Sequence, residues 1–356
     1  MMNCRGIAFG LAAVLAGGMG GVCAQTDIDA ATVSAWSHKF RGWHYYPDYV
    51  IPPSPDDGAK LQSTDCPTVF QVPGKDGYYM WYTGFDGNGY QTFLAQSDDL
   101  VAWKPRGLVM SFGEKGSFDR GGVTFGGPLL ESYDLDAPRL LKKHNGRYRV
   151  LYGCYAHQGG YEVRPGAEGL ASSEDGFAWT RDSEHPILSI YGAEQWERDC
   201  IYQPWLLAHD GRFFDFYNAA NGGTEQTGVA FSSDLLRWKR HDGNPIIRNG
   251  PKDSYDENFC SDPKVFRDGD HWVMIYFGVG KGGAHIMSAY SRDLLNWTKA
   301  PEPLYKAGGH PGGLDKQYAH KISLIYNPKN DTRYMFYNAV GVKGRAIGLL
   351  TSKPVK

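Results

Sequence analysis

Asp65-Cys66-Pro67-Thr68-Val69-Phe70 opens a stretch, ending at Trp103, whose pattern the rest of the chain repeats. A Gly74-Lys75-Asp76-Gly77 turn leads into Tyr78-Tyr79-Met80-Trp81-Tyr82. A glycine-rich loop from Gly84 to Gly89 follows, and Thr92-Phe93-Leu94-Ala95 then ends in Ser97-Asp98-Asp99-Leu100. Short runs of β-branched and aromatic residues punctuated by Gly, Asp and Ser read as strands joined by tight turns. With the run beginning at Trp103, they predict one four-stranded antiparallel unit.

The unit recurs, and a recurring unit outranks any local signal in deciding a fold. Openings similar to Asp65-Cys66-Pro67 stand at Asp136-Ala137-Pro138, Tyr202-Gln203-Pro204, Ser261-Asp262-Pro263 and Ala319-His320-Lys321. Second runs follow at Tyr148 to Tyr152, Phe213 to Tyr217, Trp272 to Tyr276 and Tyr334 to Tyr337. Third runs end in Ser172-Ser173-Glu174-Asp175-Gly176, Ser232-Ser233-Asp234-Leu235 and Ser291-Arg292-Asp293-Leu294, where Ser and Asp suit a turn capped by side chains. A tryptophan comes next each time, and Trp103, Trp179, Trp238 and Trp297 are 76, 59 and 59 residues apart. The fifth unit ends at its third strand, Ala346 to Ser352, and the segment from Trp43 to Pro52 is expected to supply the fourth. A ring of such sheets leaves no long open edge. The expected fold is therefore all-β: a five-bladed β-propeller of four-stranded antiparallel blades, with residues 25–356 as one domain and the ring closed by an N-terminal strand. The added length between Trp103 and Asp136, and the loop from His157 to Glu168, mark loops of functional interest.

Arg5, the apolar run Ile7 to Leu15 and Val22-Cys23-Ala24 read as a secretory signal peptide over residues 1–24, implying a periplasmic or secreted protein. No later run is long enough to span a bilayer. Of the 37 basic and 39 acidic residues, that segment holds Arg5 alone, so the remainder is slightly acidic, which disfavours nucleic acid as a partner. Aromatic residues make up 14% of the sequence, and such side chains both fill strands and stack on sugars. Cys66, Cys154, Cys200 and Cys260 remain after cleavage, at spacings that fit no metal motif. A Cys66–Cys260 disulfide is conceivable, with buried free thiols the preferred reading.

In a propeller the first strand of each blade lines the axis, so blade openings and the loops between second and third strands share one rim. The alignment puts Asp65, Asp136, Tyr202, Ser261 and His320 at equivalent axial positions, with Gln203 and Asp262 one residue on. The loops add Asp86 and Asn88, His157 and Gln158, Asn221 and Glu225, Lys281, and Lys343 with Arg345. Carboxylates converging on a wet funnel suit glycoside hydrolysis, which needs one acid and one base or nucleophile. The alternative is that axial acids hold water or a cation.

At these residues the sequence resembles the five-bladed propeller glycosidases, chiefly glycoside hydrolase family 43 and more loosely families 117, 32 and 130. Asp65-Cys66-Pro67-Thr68-Val69 is similar to the blade-one motif whose aspartate is the family 43 general base. Ala137-Pro138 with Asn145-Gly146-Arg147-Tyr148 looks like that family's second blade, and His320 with Ser323 like its blade-five histidine stretch, which reaches an axial water or calcium. In family 117 a histidine is implicated as the acid. The sequence departs from family 43 at Tyr202-Gln203, where an aspartate is expected, and at Ser261-Asp262-Pro263, where that family carries its acid. The resemblance implies an exo-acting glycosidase of polysaccharides or oligosaccharides with Asp65, Asp136, Asp262 and His320 as catalytic candidates. Asp86, His157, Gln203, Glu225 and Lys281 would bind substrate. The acid is left among Asp262, His320, Glu225 and Glu257. No cofactor is required, with a structural calcium near His320 as an option. Inversion follows from family 43, whereas family 32 retains. A phosphorylase like those of family 130 would need a phosphate site, with Arg139, Lys264, Lys281, Lys321 and Lys343 as candidates, and a non-catalytic carbohydrate-binding propeller is the other alternative.

Overall fold

Hydrogen-bonded strand pairing arranges the protein as consecutive antiparallel sheets of the predicted kind, in a computed structural model that describes residues 28–55 and 60–355. The expected signal peptide, residues 1–24, lies outside the described residues. The first sheet joins Ser63–Phe70, Tyr78–Phe85, Tyr90–Ser97 and Lys104–Met110. The third joins Cys200–His209, Arg212–Asn221, Thr224–Ser232 and Lys239–Arg240, and the fourth Phe259–Asp268, His271–Gly280, Gly283–Ser291 and Thr298–Lys299. Tyr318–Asn327, Thr332–Gly341 and Gly344–Thr351 form the last, whose outer place is taken by His44–Tyr45 and continued by the Ile51–Ile347 bridge. The last sheet is tied to the first where Asn338 Nδ2 donates to the Thr64 carbonyl (2.9 Å) and the Val69 amide to Ser323 Oγ (2.9 Å). The result is a β-propeller.

The turn chemistry read from the sequence is present. Asp99, Asp175, Asp234 and Asp293 each accept backbone amides at 2.8–2.9 Å, so these acids are scaffold. Each following tryptophan donates its indole N–H to the carbonyl three residues back, and Trp43 does the same to Phe40, which explains why the N-terminal segment fits as an outer strand.

A second repeat was not visible as a motif. Tyr152, Tyr217, Tyr276 and Tyr337 occupy matching places on second strands, and each phenol donates to a buried carboxylate from the segment entering its blade: Asp119 (3.4 Å), Glu197 (2.9 Å), Asp256 (2.9 Å) and Asp315 (3.1 Å). Outer-strand cations complete three of these groups, Arg181 on Asp119, Arg240 on Glu197 and Lys299 on Asp256 (the last two at 2.7 Å). Asp256→Ala would leave the wholly buried Tyr276 hydroxyl and the Lys299 ammonium without their partner, so a loss of roughly 1–3 kcal/mol is expected. Urea unfolding should show it as a lower midpoint at unchanged slope.

Axial strands share a register shift opposite those tyrosines, between Asp65 and Thr68, Tyr202 and Trp205, Ser261 and Lys264, and His320 and Ser323. At each shift one non-glycine residue takes left-handed backbone angles: Cys66 (φ 46), Gln203 (φ 57), Asp262 (φ 54) and Lys321 (φ 52). Such bulges re-aim side chains and cluster near functional sites.

The second blade corrects the alignment. Its axial strand is Gly122–Pro128, where Thr124 opposite Gly153 holds the place that Asp65 holds opposite Thr83. Gly126 follows because a Cβ there would lie 2.2 Å from the Pro204 carbonyl oxygen. Asp136 belongs to the connection after this strand. It forms a two-pronged ion pair with Arg333 (2.7 and 2.9 Å) and is half exposed. Arg333 begins the strand whose Val340 pairs with Arg345, and Arg345 reaches Asp65. Asp136 is thus about seven strand residues, some 20 Å, from the axial acids, at the opposite end of the propeller.

Candidate functional site

Asp65 sits on the axis and is almost wholly buried. Its Oδ1 accepts the Cys66 amide (2.8 Å), and its Oδ2 accepts Lys321 Nζ (3.0 Å), Arg345 Nη1 (2.8 Å) and the Tyr161 hydroxyl (3.5 Å). Burial alone would raise its pKa, but Lys321 and Arg345, with His320, outweigh that and hold the carboxyl well below the ordinary carboxylate range. Lys321 in turn is pushed well above the usual lysine range, because the attraction of Asp65 exceeds the cost of its burial. Asp65 is therefore a fixed anion with both oxygens engaged.

Above this pair lies a cavity of about 260 Å3, lined by side chains that include Glu162, Gln203, Glu225, His320, Lys321 and Arg345, with Tyr161, Tyr202, Phe277 and Tyr318 as aromatic walls. Glu225 stands at the start of the third strand of its blade. It is 6% exposed and accepts the Tyr202 hydroxyl, the Ser261 hydroxyl (2.5 Å) and Asn218 Nδ2 (3.4 Å). Burial first, and then the charge of Glu162, raise its pKa to about 6 against the pull of the two hydroxyls. Glu162 comes from the loop between the second and third strands of blade two, and its Oε1 is 3.9 Å from Lys321 Nζ. One carboxyl biased to stay protonated and another beside a fixed ammonium, across one cavity, is the pairing that acid–base chemistry on a neutral bond requires.

The remaining predicted residues divide. Gln203 joins the wall and donates Nε2 to Cys66 Sγ (3.1 Å). Asp262 is buried on the axis but paired with Lys264 (2.6 Å); burial raises its pKa while Lys264 opposes the shift. His320 lines the cavity, its Nδ1 set against the Asn338 carbonyl (3.1 Å), and burial followed by the Arg345 charge brings its pKa down to about 3. A neutral imidazole with Nδ1–H donated there presents Nε2 as an acceptor, so His320 does not serve as the acid. Asp86 instead caps its own turn through the Asn88 and Gly89 amides. Glu257 caps the Asp253 amide (2.6 Å), and Lys281, whose backbone carbonyl meets His285, lies outside the cavity wall. His157 lines a neighbouring groove.

Of the cations proposed to hold phosphate, Lys321 alone lines the cavity. Arg139 is buried and donates to the carbonyls of Leu324, Asp134, Ala137 and Leu135, Lys343 pairs with Asp48, and Lys264 with Asp262. Among the described residues no three His, Cys, Asp or Glu side chains are placed to hold a metal ion. Calcium requires several oxygen ligands, and the axial oxygens of Asp65 and Asp262 already face ammonium groups, so the donor set does not fit an axial calcium. All four cysteines among the described residues are free and buried.

Sequence reasoning marked the His157–Glu168 loop by its length without singling out Tyr161 or Glu162. An adjacent aromatic and acid in a long rim loop was the available signal.

Comparison with known proteins places these features. The family model described as "Glycosyl hydrolases family 32 N-terminal domain" matches residues 78–314. A β-1,2-mannobiose phosphorylase of Thermoanaerobacter sp. (strain X514) is 26% identical over 179 residues, 46% of this sequence and 54% of that one. A levanase of Bacillus subtilis (strain 168) is 25% identical over 221 residues, 58% of this sequence and 30% of that one. The match thus spans about half the length of the first relative and under a third of the second. A solved structure of a BT0996 complex with RGII aligns with a TM-score of 0.77 at 28% identity, covering 90% of this protein and 95% of that one. A second solved structure, described as a glycoside hydrolase, aligns with a TM-score of 0.78 at 27% identity, covering 92% of this protein and 96% of that one.

Proposed function

This protein belongs to the family described as the glycosyl hydrolases family 32 N-terminal domain, and from that premise we propose that it is an exo-acting glycoside hydrolase in which Glu225 is the general acid and Glu162 the opposing carboxylate. The observation that carries the reading is the pair itself: both line one cavity, and Glu225 is held near pKa 6 by burial and by Glu162. Protonated Glu225 gives its proton to the glycosidic oxygen while Glu162 attacks the anomeric carbon, so the C–O bond breaks as a glycosyl ester forms. Water then replaces Glu162 and yields a proton to the Glu225 carboxylate. Asp65 acts behind this pair by fixing Lys321 and Arg345.

A cavity of about 260 Å3 is at the small end for ligand sites, which suits one terminal sugar. Family 32 membership favours retention over the inversion that the family 43 resemblance implies. RGII, named with the solved relative, is the first substrate to try. We take residues 25–356 as one catalytic propeller domain released to the periplasm or exterior after cleavage at residue 24.

Glu162→Gln should lower turnover at least about 10³-fold, and NMR of the first product formed should show the substrate's anomeric configuration. Undiminished turnover in that variant, or an inverted product, would overturn the assignment. The phosphorylase alternative rests on the mannobiose phosphorylase relative, but both cations nearest the cavity floor are engaged by Asp65. Phosphate should leave the rate unchanged.

A further inference from the structure

The loop that carries Tyr161 and Glu162 into the axial cavity also contributes Ala156, His157 and Pro165 to a separate groove of about 390 Å3. Its other wall is the added segment between the first two blades, which supplies Lys115, Phe118 and Arg120, and its far end is Ile190 and Tyr191. The two walls are fitted to each other. A Cβ on Gly121 would lie 1.8 Å from the His157 carbonyl oxygen, the Gly121 amide donates to the Tyr155 carbonyl (2.7 Å), and the Gly159 amide to the Asn88 carbonyl (2.8 Å). The groove is therefore a built feature of the same rim.

Its chemistry differs from that of the cavity. Lys115, Arg120 and His157 line it, and no aspartate or glutamate does. The nearby acid, Asp119, is buried and engaged by Arg181, Ser117 and Tyr152, while Glu162 is directed to Lys321 in the other site. Arg120 makes a single long bond of 3.4 Å, from Nη1 to the Gly113 carbonyl, which leaves most of its guanidinium edge open. Tyr191 is 85% exposed. An aromatic face left open beside unpaired cations suits a sugar ring that carries a carboxylate: the ring stacks, and the carboxylate takes charge-assisted hydrogen bonds.

We propose that this groove binds a uronic-acid residue of the oligosaccharide whose terminal sugar enters the axial cavity. The proposal rests on the glycosidase reading for its purpose but is measured without turnover. Isothermal titration of the intact protein with trigalacturonate and with its carboxyl-reduced, neutral counterpart should show the acid binding at least about 10-fold tighter. A Lys115→Ala/Arg120→Ala double variant should lose that preference, and raising the salt concentration should erode it in the wild type. Tyr191→Ala, which touches no charge, should weaken both ligands alike, and unchanged melting temperatures would show that the variants fold. Equal binding of the two ligands, no binding of either, or an unchanged preference in the double variant would overturn the proposal. A folded protein that prefers trigalacturonate yet hydrolyses no glycoside would leave the groove standing and remove the catalytic reading instead.

Discussion

Glu225→Gln is expected to lower kcat on glycosides with poor leaving groups by roughly 10²–10⁴-fold, the usual contribution of a positioned general acid. The amide keeps the shape and can still accept the Ser261 and Tyr202 hydroxyls, so substrate binding should change little. A dinitrophenyl glycoside, whose leaving group needs no proton, should lose far less. The pH profile gives an independent reading. Glu225 must be protonated to act, and burial with the Glu162 charge puts its pKa at about 6. Activity is therefore present below pH ~6 and declines as pH rises through that value. In the Gln variant this alkaline limb should vanish for the dinitrophenyl substrate. A limb that survives there unchanged would assign the titration to another group.

This placement shows what the repeats could and could not convey. Strand order, turn acids and the closing role of Trp43 were legible because each is a local rule applied several times. Asp65 was also legible, since it stands at the head of the clearest copy. Its role was not, because the cations that fix it, Lys321 and Arg345, come from the far end of the sequence. Asp136 misled for a related reason: Asp-x-Pro matches the openings of other blades, whereas the second axial strand reads Thr124-Phe125-Gly126, which keeps the backbone path and loses the motif. Glu162 belongs to no repeat at all. Insertions escape periodic reading, yet insertions at the rim of a rigid scaffold are where chemistry is free to differ.

Asp215→Asn should stabilise the protein above neutral pH, by an amount on the order of 2–4 kcal/mol if the full linkage is realised. Asp215, on the second strand of blade three, and Glu168, on the third strand of blade two, are both fully buried, and their four carboxyl oxygens have no hydrogen-bond partner at ordinary distance. Besides each other, the groups acting on them are the Trp205 amide on Asp215, and Arg240 and Glu197 on Glu168. Burial raises both pKa values, Glu168 well above its ordinary range and Asp215 to about 7. The folded protein thus holds protons that the unfolded state releases near pH ~4. This contribution to stability is fully present below pH ~4 and is lost as pH rises through the folded value of about 7. Asparagine removes one titrating group and offers Glu168 a donor, so the decline in urea midpoint between pH 5 and pH 8 should be clearly shallower than in wild type. Equal declines in the two proteins would mean that the interface between the second and third blades carries no such protons, and that the alkaline sensitivity arises elsewhere.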